Sequence, residues 1–398
     1  MSMARMSGPG AAAQGRPREA ARAPRMHAPR ARPSVCFVAP HAWPVFSGDT
    51  RIAEIGGAEV QQSILARLLA ASGYRVSMIC LDYGQPDGAV IDGVSVHKAY
   101  RWEAGVPVLR FLYPRLTRMW RALGEADADI YYCRSAGMLV GLVAEFCRRH
   151  GKRSIYAGAS DMDFLPTLRK KIRYARDRWL YRHGLARVDR IVAQNEAQRA
   201  SCLATYGREA LVIPSCYQLP AASAARRTLR DCALWVGTFR ADKRPELFLQ
   251  LAARLPQRRF VIVGGPGRGA AALFERIRRE AAHLANLEVT GFLPLAQVES
   301  RFDAARVLVN TSVYEGMPNA FLQAWARGVP TVATVDIGTP VHRQFAGVEE
   351  GAREIEALFA DQETWVRASR RCREYFETNH SGTETLERYG RLFDELGA

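Results

Sequence analysis

The 398-residue chain is long enough for two ordinary domains, and its 48% hydrophobic content is normal for a globular protein. It carries a formal net charge of +16, and its most apolar segment, 137–146, is about half as long as a membrane span and contains Glu145. Eight cysteines without CxxC spacing argue against a zinc site or a disulfide framework and favour a reducing, cytoplasmic compartment.

The N-terminal segment 1–33 is strongly basic, with seven Arg and one Glu, and is rich in Ala, Pro and Gly. Such a segment cannot bury enough surface to offset its ordering entropy, so we predict a disordered arm. It lacks the apolar core of a secretory signal, and Met26 is an alternative start. A basic arm is compatible with nucleic-acid binding, but the rest of the chain has no recognition motif, so we expect no nucleic-acid partner.

From residue 34 the chain alternates apolar strands with amphipathic helices. Val60, Ile64, Leu65 and Leu68 share one face of a helix that ends at Gly73. The predicted strands of this half are 34–40, 74–81, 129–133, 153–158 and 190–195.

The pattern restarts after the polar, alanine-rich segment 218–230, with a helix over 245–255 that has Pro245 at its first position. Its predicted strands are 232–239, 259–265, 286–292, 306–312 and 331–336. This alternation predicts an α/β fold with two doubly wound, Rossmann-like parallel-sheet domains. We divide the chain into the arm 1–33, a first domain 34–218, a second domain 219–375 and a terminal helix 376–398.

In such sheets ligands bind beyond the carboxyl ends of the strands, so the loops there are the candidate site. Gly56 and Gly57 precede a helix, where they allow close backbone approach to an anion or form an ordinary turn. Arg240, Lys243 and Arg244 occupy the equivalent loop of the second half, either facing a phosphate or as a solvated basic loop.

The segment "VYEGMPNAFLQAWARGVP" (313–330) lies between two predicted buried strands. Glu315 is placed to accept hydrogen bonds from hydroxyls, Gly316 and Pro318 shape the turn, and the helix start is able to donate to phosphate. Gln323 follows about two turns along that helix. The combination fits a nucleotide sugar.

These segments resemble the retaining glycosyltransferases of family 4, which have the GT-B fold, from about residue 35 to the end of the chain. "EGMPNAFLQAWARGVP" resembles the family's E-x7-E segment, "VGTFRADKRPELFLQLAARLP" its donor-phosphate loop and "GGAEVQQ" its N-terminal glycine loop. "RIVAQNEAQRASCLATYGREALVIPS" resembles the stretch that closes the first domain. The four matches occur in the family's order.

The resemblance implies roles for individual residues. Lys243 would bind the donor diphosphate, with Arg240 beside it, and Glu315 would hold sugar hydroxyls or transition-state charge. It places the remaining donor-binding residues at Gly56, Gly57, Thr238, Gly265, Phe292, Gly316, Met317, Pro318, Asn319 and Gln323.

Two positions depart from the family pattern. The second acid of E-x7-E, usually credited with the ribose hydroxyls, is Gln323, which can bind a diol but brings no charge. The arginine often found after the glycine of the phosphate loop is Thr238, with Arg240 as a substitute two positions on.

The acceptor side is less specific. Asp161 and Asp163 in "ASDMDF" are candidates for acceptor hydroxyls, for a metal or for capping of their loop. Arg134 either lines the same crevice as these aspartates or has a structural role. Over 165–190, nine Lys or Arg meet two Asp, and Leu165, Leu168, Ile172, Ala175 and Trp179 follow helical spacing. This segment either lies on anionic lipid or packs on its own domain.

The resemblance therefore implies a cytoplasmic, metal-independent, retaining transferase without a cofactor. Its donor would be a UDP- or GDP-linked sugar, and its acceptor a glycan or lipid-linked molecule in surface polysaccharide or glycolipid synthesis. The membrane's inner face is the expected place of any peripheral association. The alternative, suggested by Gln323 and Thr238, is a catalytically weak nucleotide-sugar-binding partner of another enzyme.

Overall fold

The computed structural model describes residues 32–49, 56–106, 111–219, 230–267 and 269–397, with the side chain of position 170 left out. Residues 1–31 of the predicted arm and most of the polar segment before the second domain lie outside these ranges. The described chain contains two parallel-type sheets, one in each half, which confirms the predicted fold class.

The first sheet has the strand order β3-β4-β2-β1-β5-β6-β7-β8, with all neighbours parallel except β3 and β4. Its strands are β1 (Val35–Val38), β2 (Val76–Cys80), β3 (Ala89–Ile91), β4 (Val94–Lys98), β5 (Ile130–Arg134), β6 (Arg153–Ala157), β7 (Arg190–Ala193) and β8 (Leu211–Val212). The β3–β4 hairpin was absent from the sequence analysis. Its signal was the Asp92–Gly93 pair, whose φ angles of 49° and 78° suit a two-residue hairpin turn.

Helices cover both faces of this sheet. They are α1 (Trp43–Ser47), α2 (Gly57–Ala71), α3 (Thr117–Ala126), α4 (Met138–His150), α5 (Ala175–Leu185) and α6 (Glu196–Tyr206). Alternate residues of β1 enter opposite cores, Val35 and Phe37 with α2, and Cys36 and Val38 with the core that includes α3 and α4. Both faces are therefore buried, as a parallel sheet requires.

The second sheet is parallel throughout, in the order β11-β10-β9-β12-β13-β14. Its strands are β9 (Cys232–Val236), β10 (Arg259–Val263), β11 (Leu287–Val289), β12 (Ala305–Asn310), β13 (Thr331–Ala333) and β14 (His342–Gln344). The helices are α7 (Pro245–Arg254), α8 (Ala271–Ala281), α9 (Leu295–Ala304), α10 (Asn319–Trp325), α11 (Val348–Ala360), α12 (Gln362–His380) and α13 (Gly382–Glu395).

The topology of each sheet fixes where its crevice lies. The chain places β2 on one side of β1 and β5 on the other, and likewise β10 and β12 on either side of β9. Ligand crevices form beyond the carboxyl ends of strands at such reversals. The loops after β1, β5, β9 and β12 are thereby the candidate site.

The C-terminal helix α13 packs on the first domain although it follows the second. Tyr389, Leu392 and Phe393 are buried in the same core as β1 and α2. The predicted boundary at 375/376 falls inside α12, which ends at His380 where Ser381 caps α13.

The segment 165–190 does not form one amphipathic helix, so the predicted apolar row is wrong. A short turn at Leu168–Lys170 precedes α5, and Leu168 and Ile172 are buried. Trp179, by contrast, is 61% exposed on α5. The break after Lys171 removes the helical register that the spacing assumed.

Helices α4 and α5 approach closely at two glycines. A Cβ on Gly141 would lie 2.3 Å from the Leu180 carbonyl oxygen, and one on Gly184 would lie 2.5 Å from the Gly141 nitrogen. We expect Gly141→Ala to lower the free energy of unfolding by about 1–3 kcal/mol, because the added methyl group would force the backbone at Leu180 to move away. Denaturant unfolding measures it. Gly124→Ala, in the exposed part of α3 with nothing near its Cβ, is the matched control and should be stabilising by about 0.5–1 kcal/mol. Equal effects of the two changes would contradict the close approach.

His380 makes stability depend on pH. It is 1% exposed, with Nδ1 2.7 Å from the Ser215 carbonyl oxygen, and burial lowers its pKa to about 4. The unfolded chain takes up this proton near the ordinary histidine pKa of 6.5. The folded state therefore loses stability as pH falls from about 6.5 to about 4, by roughly 2–3 kcal/mol.

We expect His380→Gln to flatten that loss, since glutamine keeps a donor for Ser215 but does not titrate. Unfolding midpoints between pH 7 and pH 4 measure the slope. Changing the exposed His283 to Gln serves as the control. If the unfolding midpoint of His380→Gln fell with pH as steeply as that of the parent, another group would be the source of the pH dependence.

Candidate active site

A cavity of about 1110 Å³ lies between the two domains, at the carboxyl ends of both sheets. Both halves of the chain line it, which places the loop after β12 opposite the glycine loop before α2. Among its lining residues are these predicted site residues: Gly56, Gly57, Arg134, Asp161, Thr238, Arg240, Lys243, Glu315, Gly316, Met317, Pro318, Asn319 and Gln323.

At the centre of the second-domain wall, Lys243 pairs with Glu315. The ammonium Nζ is 2.5 Å from Glu315 Oε1, and the side chains are only 17% and 13% exposed. The same oxygen accepts hydrogen bonds from Ser312 Oγ at 2.6 Å and Asn310 Nδ2 at 3.1 Å. The second oxygen, Oε2, has no partner among the described residues.

The loops after β9 and β12 are joined to each other beneath this pair. Thr311 Oγ1 donates to the Lys243 carbonyl at 2.6 Å and accepts from Trp235 Nε1 at 3.0 Å. Arg244, with a φ of 44°, donates from Nε to the Thr311 carbonyl at 2.8 Å. The ion pair is thus positioned by two loops that follow neighbouring strands and are hydrogen-bonded to each other.

First-domain glutamines hold the start of α10 across the cavity. Gln194 Oε1 accepts from the Met317 N–H at 3.0 Å, and Gln61 Nε2 donates to Asn319 Oδ1 at 2.9 Å. Asn319 Nδ2 in turn donates to the Gly57 carbonyl at 3.1 Å. The Met317 N–H, predicted to face the donor, is therefore already engaged.

A side chain at Gly316 would disturb this arrangement. A Cβ there would lie 2.8 Å from Gln194 Oε1 and 3.3 Å from Gln198 Nε2. Gly316 was among the predicted site residues, whereas Gln61 and Gln194 were not. Their sequence signal was position alone, since Gln61 lies in the segment "GGAEVQQ" and Gln194 directly follows the strand β7.

Arg240 and Thr238 lie on the loop after β9. Arg240 Nη2 is 3.0 Å from Asp242 Oδ2, so its charge is partly balanced within the loop. Gly265 and Phe292 are adjacent to each other, because a Cβ on Gly265 would lie 3.4 Å from Phe292 Cβ. Gly265 and Phe292 were predicted to bind the donor, but neither residue lines the cavity.

The two aspartates of "ASDMDF" have different surroundings. Asp163 is fully buried, accepts from the Ala159 N–H at 2.7 Å and pairs with Lys171. Its predicted acceptor role is therefore corrected in favour of loop capping, since its carboxylate points into a capping box with Ser160.

Asp161 instead lines the cavity and accepts from Gln198 Nε2 at 2.8 Å. Desolvation by the cleft walls raises its pKa, with repulsion from Asp163 and Glu315 adding to it. Within the described ranges, no group of three or more His, Cys, Asp or Glu side chains is arranged to hold a metal ion.

Arg134 ends β5 at the first-domain wall of the cavity. Its Nη2 donates to Ser215 Oγ at 2.9 Å and its Nη1 to Tyr132 OH at 3.3 Å. In the part of the chain that the structure describes, no carboxylate lies within ion-pair distance of this guanidinium. It therefore contributes positive potential to the cavity.

Gln323 lines the cavity from the second turn of α10. Its Nε2 donates to Glu299 Oε1 at 3.1 Å. Glu299, on α9, was not considered in the sequence analysis, because it is 24 residues away and has no motif around it.

Comparison with known proteins matches one family model to each half of the chain. Residues 230–372 match the family described as Glycosyl transferases group 1, and residues 56–216 match the Glycosyl transferase 4-like domain. A D-inositol 3-phosphate glycosyltransferase of Mycolicibacterium paratuberculosis is 31% identical over 142 residues, which cover 35% of this chain and 31% of that protein. The Mycobacterium leprae (strain Br4923) protein of the same name is 33% identical over 110 residues, covering 27% and 26%. These matches span less than a third of the curated relatives.

Solved structures share the whole fold. Sucrose-phosphate synthase from Thermosynechococcus elongatus is 19% identical with a TM-score of 0.70, covering 92% of this chain and 99% of that one. HepE of Anabaena, solved with UDP and glucose, is 13% identical with a TM-score of 0.67, covering 91% and 100%. At these identities the likeness establishes the two-domain GT-B architecture.

Proposed function

We propose, since this chain belongs to the glycosyl transferases group 1 family, that it transfers a sugar from a nucleoside-diphosphate donor to an acceptor with retention of anomeric configuration. The observation that carries the proposal is the Lys243–Glu315 pair, which lines a cavity shared by both domains. A UDP- or GDP-linked sugar is the proposed donor, and HepE, a structural neighbour, has been solved with UDP-glucose.

The chemistry requires stabilisation of a departing diphosphate. When the bond between the anomeric carbon and the phosphate oxygen breaks, negative charge grows on the nucleotide and positive charge on the sugar. Lys243 and Arg240 are the cations that would stabilise the negative charge on the nucleotide. Glu315 is the carboxylate that would stabilise the positive charge on the sugar or bind its hydroxyls. A metal ion is not required by this arrangement, and we propose none.

On the first-domain side, Arg134 and Asp161 are the proposed acceptor-binding residues. The acceptor hydroxyl would attack from the face that the leaving group vacates, with a leaving-group phosphate oxygen taking its proton. Asp161 would orient that hydroxyl. The proposed acceptor is a glycan or lipid-linked molecule in surface polysaccharide or glycolipid synthesis.

A second candidate function is that of a weakly active nucleotide-sugar-binding partner. It rests on Thr238 and Gln323, which stand where the family pattern has charged residues. The two functions differ in turnover: the partner would bind the donor without transferring its sugar.

The first test is calorimetric titration with UDP, GDP and ADP in EDTA and then with Mg²⁺. We expect one nucleotide to bind in EDTA and Lys243→Ala to weaken it by about 10- to 100-fold, since a charge-assisted hydrogen bond is lost. Lys98→Ala, which removes an ion-paired lysine outside the cavity, is the control. Binding that needs Mg²⁺ and ignores Lys243→Ala would refute the metal-free scheme.

We further propose that the surface over 165–190 lies against anionic lipid on the cytoplasmic side. None of the helices in the described ranges is long and apolar enough to cross a bilayer. Tyr174 and Trp179 are 56% and 61% exposed, among arginines. Exposed aromatic rings with basic neighbours suit a membrane interface.

We expect the triple change of Arg169, Arg173 and Arg182 to Glu to reduce co-sedimentation with phosphatidylglycerol vesicles at least tenfold. These three side chains are exposed, whereas Lys171 is excluded because it pairs with the buried Asp163. The control reverses three arginines of α8 in the second domain, Arg276, Arg278 and Arg279. Equal binding by both triple variants would mean that the 165–190 surface is not the contact.

A further inference from the structure

The amide of Gln323 is held by a buried acidic group. Its Nε2 lies 3.1 Å from Oε1 of Glu299, which is 7% exposed on α9. Gln323 also lines the cavity. Its side chain therefore connects the buried Glu299 with the cavity surface.

Glu299 belongs to a group that we call the Glu299 cluster: Tyr217, Glu299, Asp303 and Arg327. Glu299 Oε2 accepts from Tyr217 OH at 2.7 Å and from the Arg327 guanidinium. Arg327, whose side chain is 2% exposed, also donates from Nε to Asp303 Oδ1 at 2.7 Å. Two carboxylates thus share one arginine.

The cluster determines which way the Gln323 amide points. Glu299 accepts from two donors at Oε2, which is the role of an ionised carboxylate and leaves Oε1 able only to accept. The atom of Gln323 nearest to it must therefore be the NH₂ group. The amide oxygen is then the remaining acceptor, and none of the described residues donates to it.

We propose that Glu299 is a positioning residue that fixes the Gln323 amide with its oxygen as the acceptor for the ribose hydroxyls of the donor. The proposal rests on the nucleotide-sugar function proposed above. Glu299 does not line the cavity, so it would act on the donor only through Gln323.

Local repulsion explains why position 323 is neutral here. In the Glu299 cluster, Glu299 and Asp303 both pair with Arg327. A glutamate at 323 would bring a further carboxylate next to Glu299 Oε1, where the hydrogen bond from Gln323 would be lost and replaced by repulsion. Swapping the two residues removes this conflict, because a glutamine at 299 donates to a glutamate at 323 and still accepts from Tyr217 and Arg327.

The experiment compares Gln323→Glu, Glu299→Gln and the double variant E299Q/Q323E in the full chain. Thermal unfolding is measured without ligand. Calorimetry then measures UDP or GDP, whichever the parent binds, and the 2′-deoxy form of the same nucleotide. The ratio of the two affinities reports recognition of the ribose hydroxyl, which a purely structural role of Glu299 would not change.

We expect Gln323→Glu to lower the melting temperature and to weaken nucleotide binding about tenfold. Glu299→Gln should reduce the preference for the ribonucleotide over its deoxy form at least threefold, since it frees the amide to turn. The double variant should regain affinity and selectivity to within threefold of the parent. A double variant no better than Gln323→Glu, or a Glu299→Gln variant with full selectivity, would overturn the proposal.

Failure of the proposed function gives a different pattern. If the parent binds neither nucleotide, the proposed nucleotide-sugar function is refuted. The contact between positions 299 and 323 is then tested by the melting temperatures alone. Recovery of the melting temperature in the double variant would still support Glu299 as the group that positions Gln323. Additive losses would refute it.

Discussion

The pairing of Lys243 with Glu315 is the interaction on which the rest of the site depends. Both charges are largely removed from water, and an unpaired charge in that setting costs several kcal/mol. Ser312 and Asn310 add two hydrogen bonds on the same oxygen of the Glu315 carboxylate. A phosphate group that enters the cavity would bring a second anion to Lys243, and Glu315 would keep its two neutral donors. Lys243 would then have to balance both anions, which is why its charge is central to the site.

This pair depends on the loop 315–319, which belongs to the second domain but is held by the first. Gln194 engages the Met317 N–H, and Gln61 engages Asn319. A separation of the domains would release both contacts and leave buried amide groups to find other partners. The geometry of the second-domain wall of the cavity is therefore linked to the distance between the domains, through two neutral side chains.

A feature of the fold or the site was predictable from the sequence when residues close together in the chain determine it. The strands β9 and β12, and the loops that carry Lys243 and Glu315, follow from alternation and from glycine and proline positions. Asp161 and Asp163 look equivalent in the sequence, yet one lines the cavity and the other caps its loop, because only the fold brings Lys171 to Asp163. Three residues contact partners in another domain or on another helix, so no local sequence pattern predicts their role: Gln61, Gln194 and Glu299. The helical spacing of 165–190 failed because the chain turns after residue 171.

The position of Gln323 shows why a departure from a family pattern has to be judged with its neighbours in space. By sequence alone, an amide in place of an acid suggests weakened ribose binding. In the structure, an acid lies 3.1 Å away on another helix and holds that amide by its NH₂ group. The buried arginine beside it is already shared by two carboxylates, and an acid at 323 would lie next to Glu299 Oε1 with no donor between the two groups. The neutral residue is thus the one that the surrounding charges permit, and the same surroundings give its oxygen a defined direction.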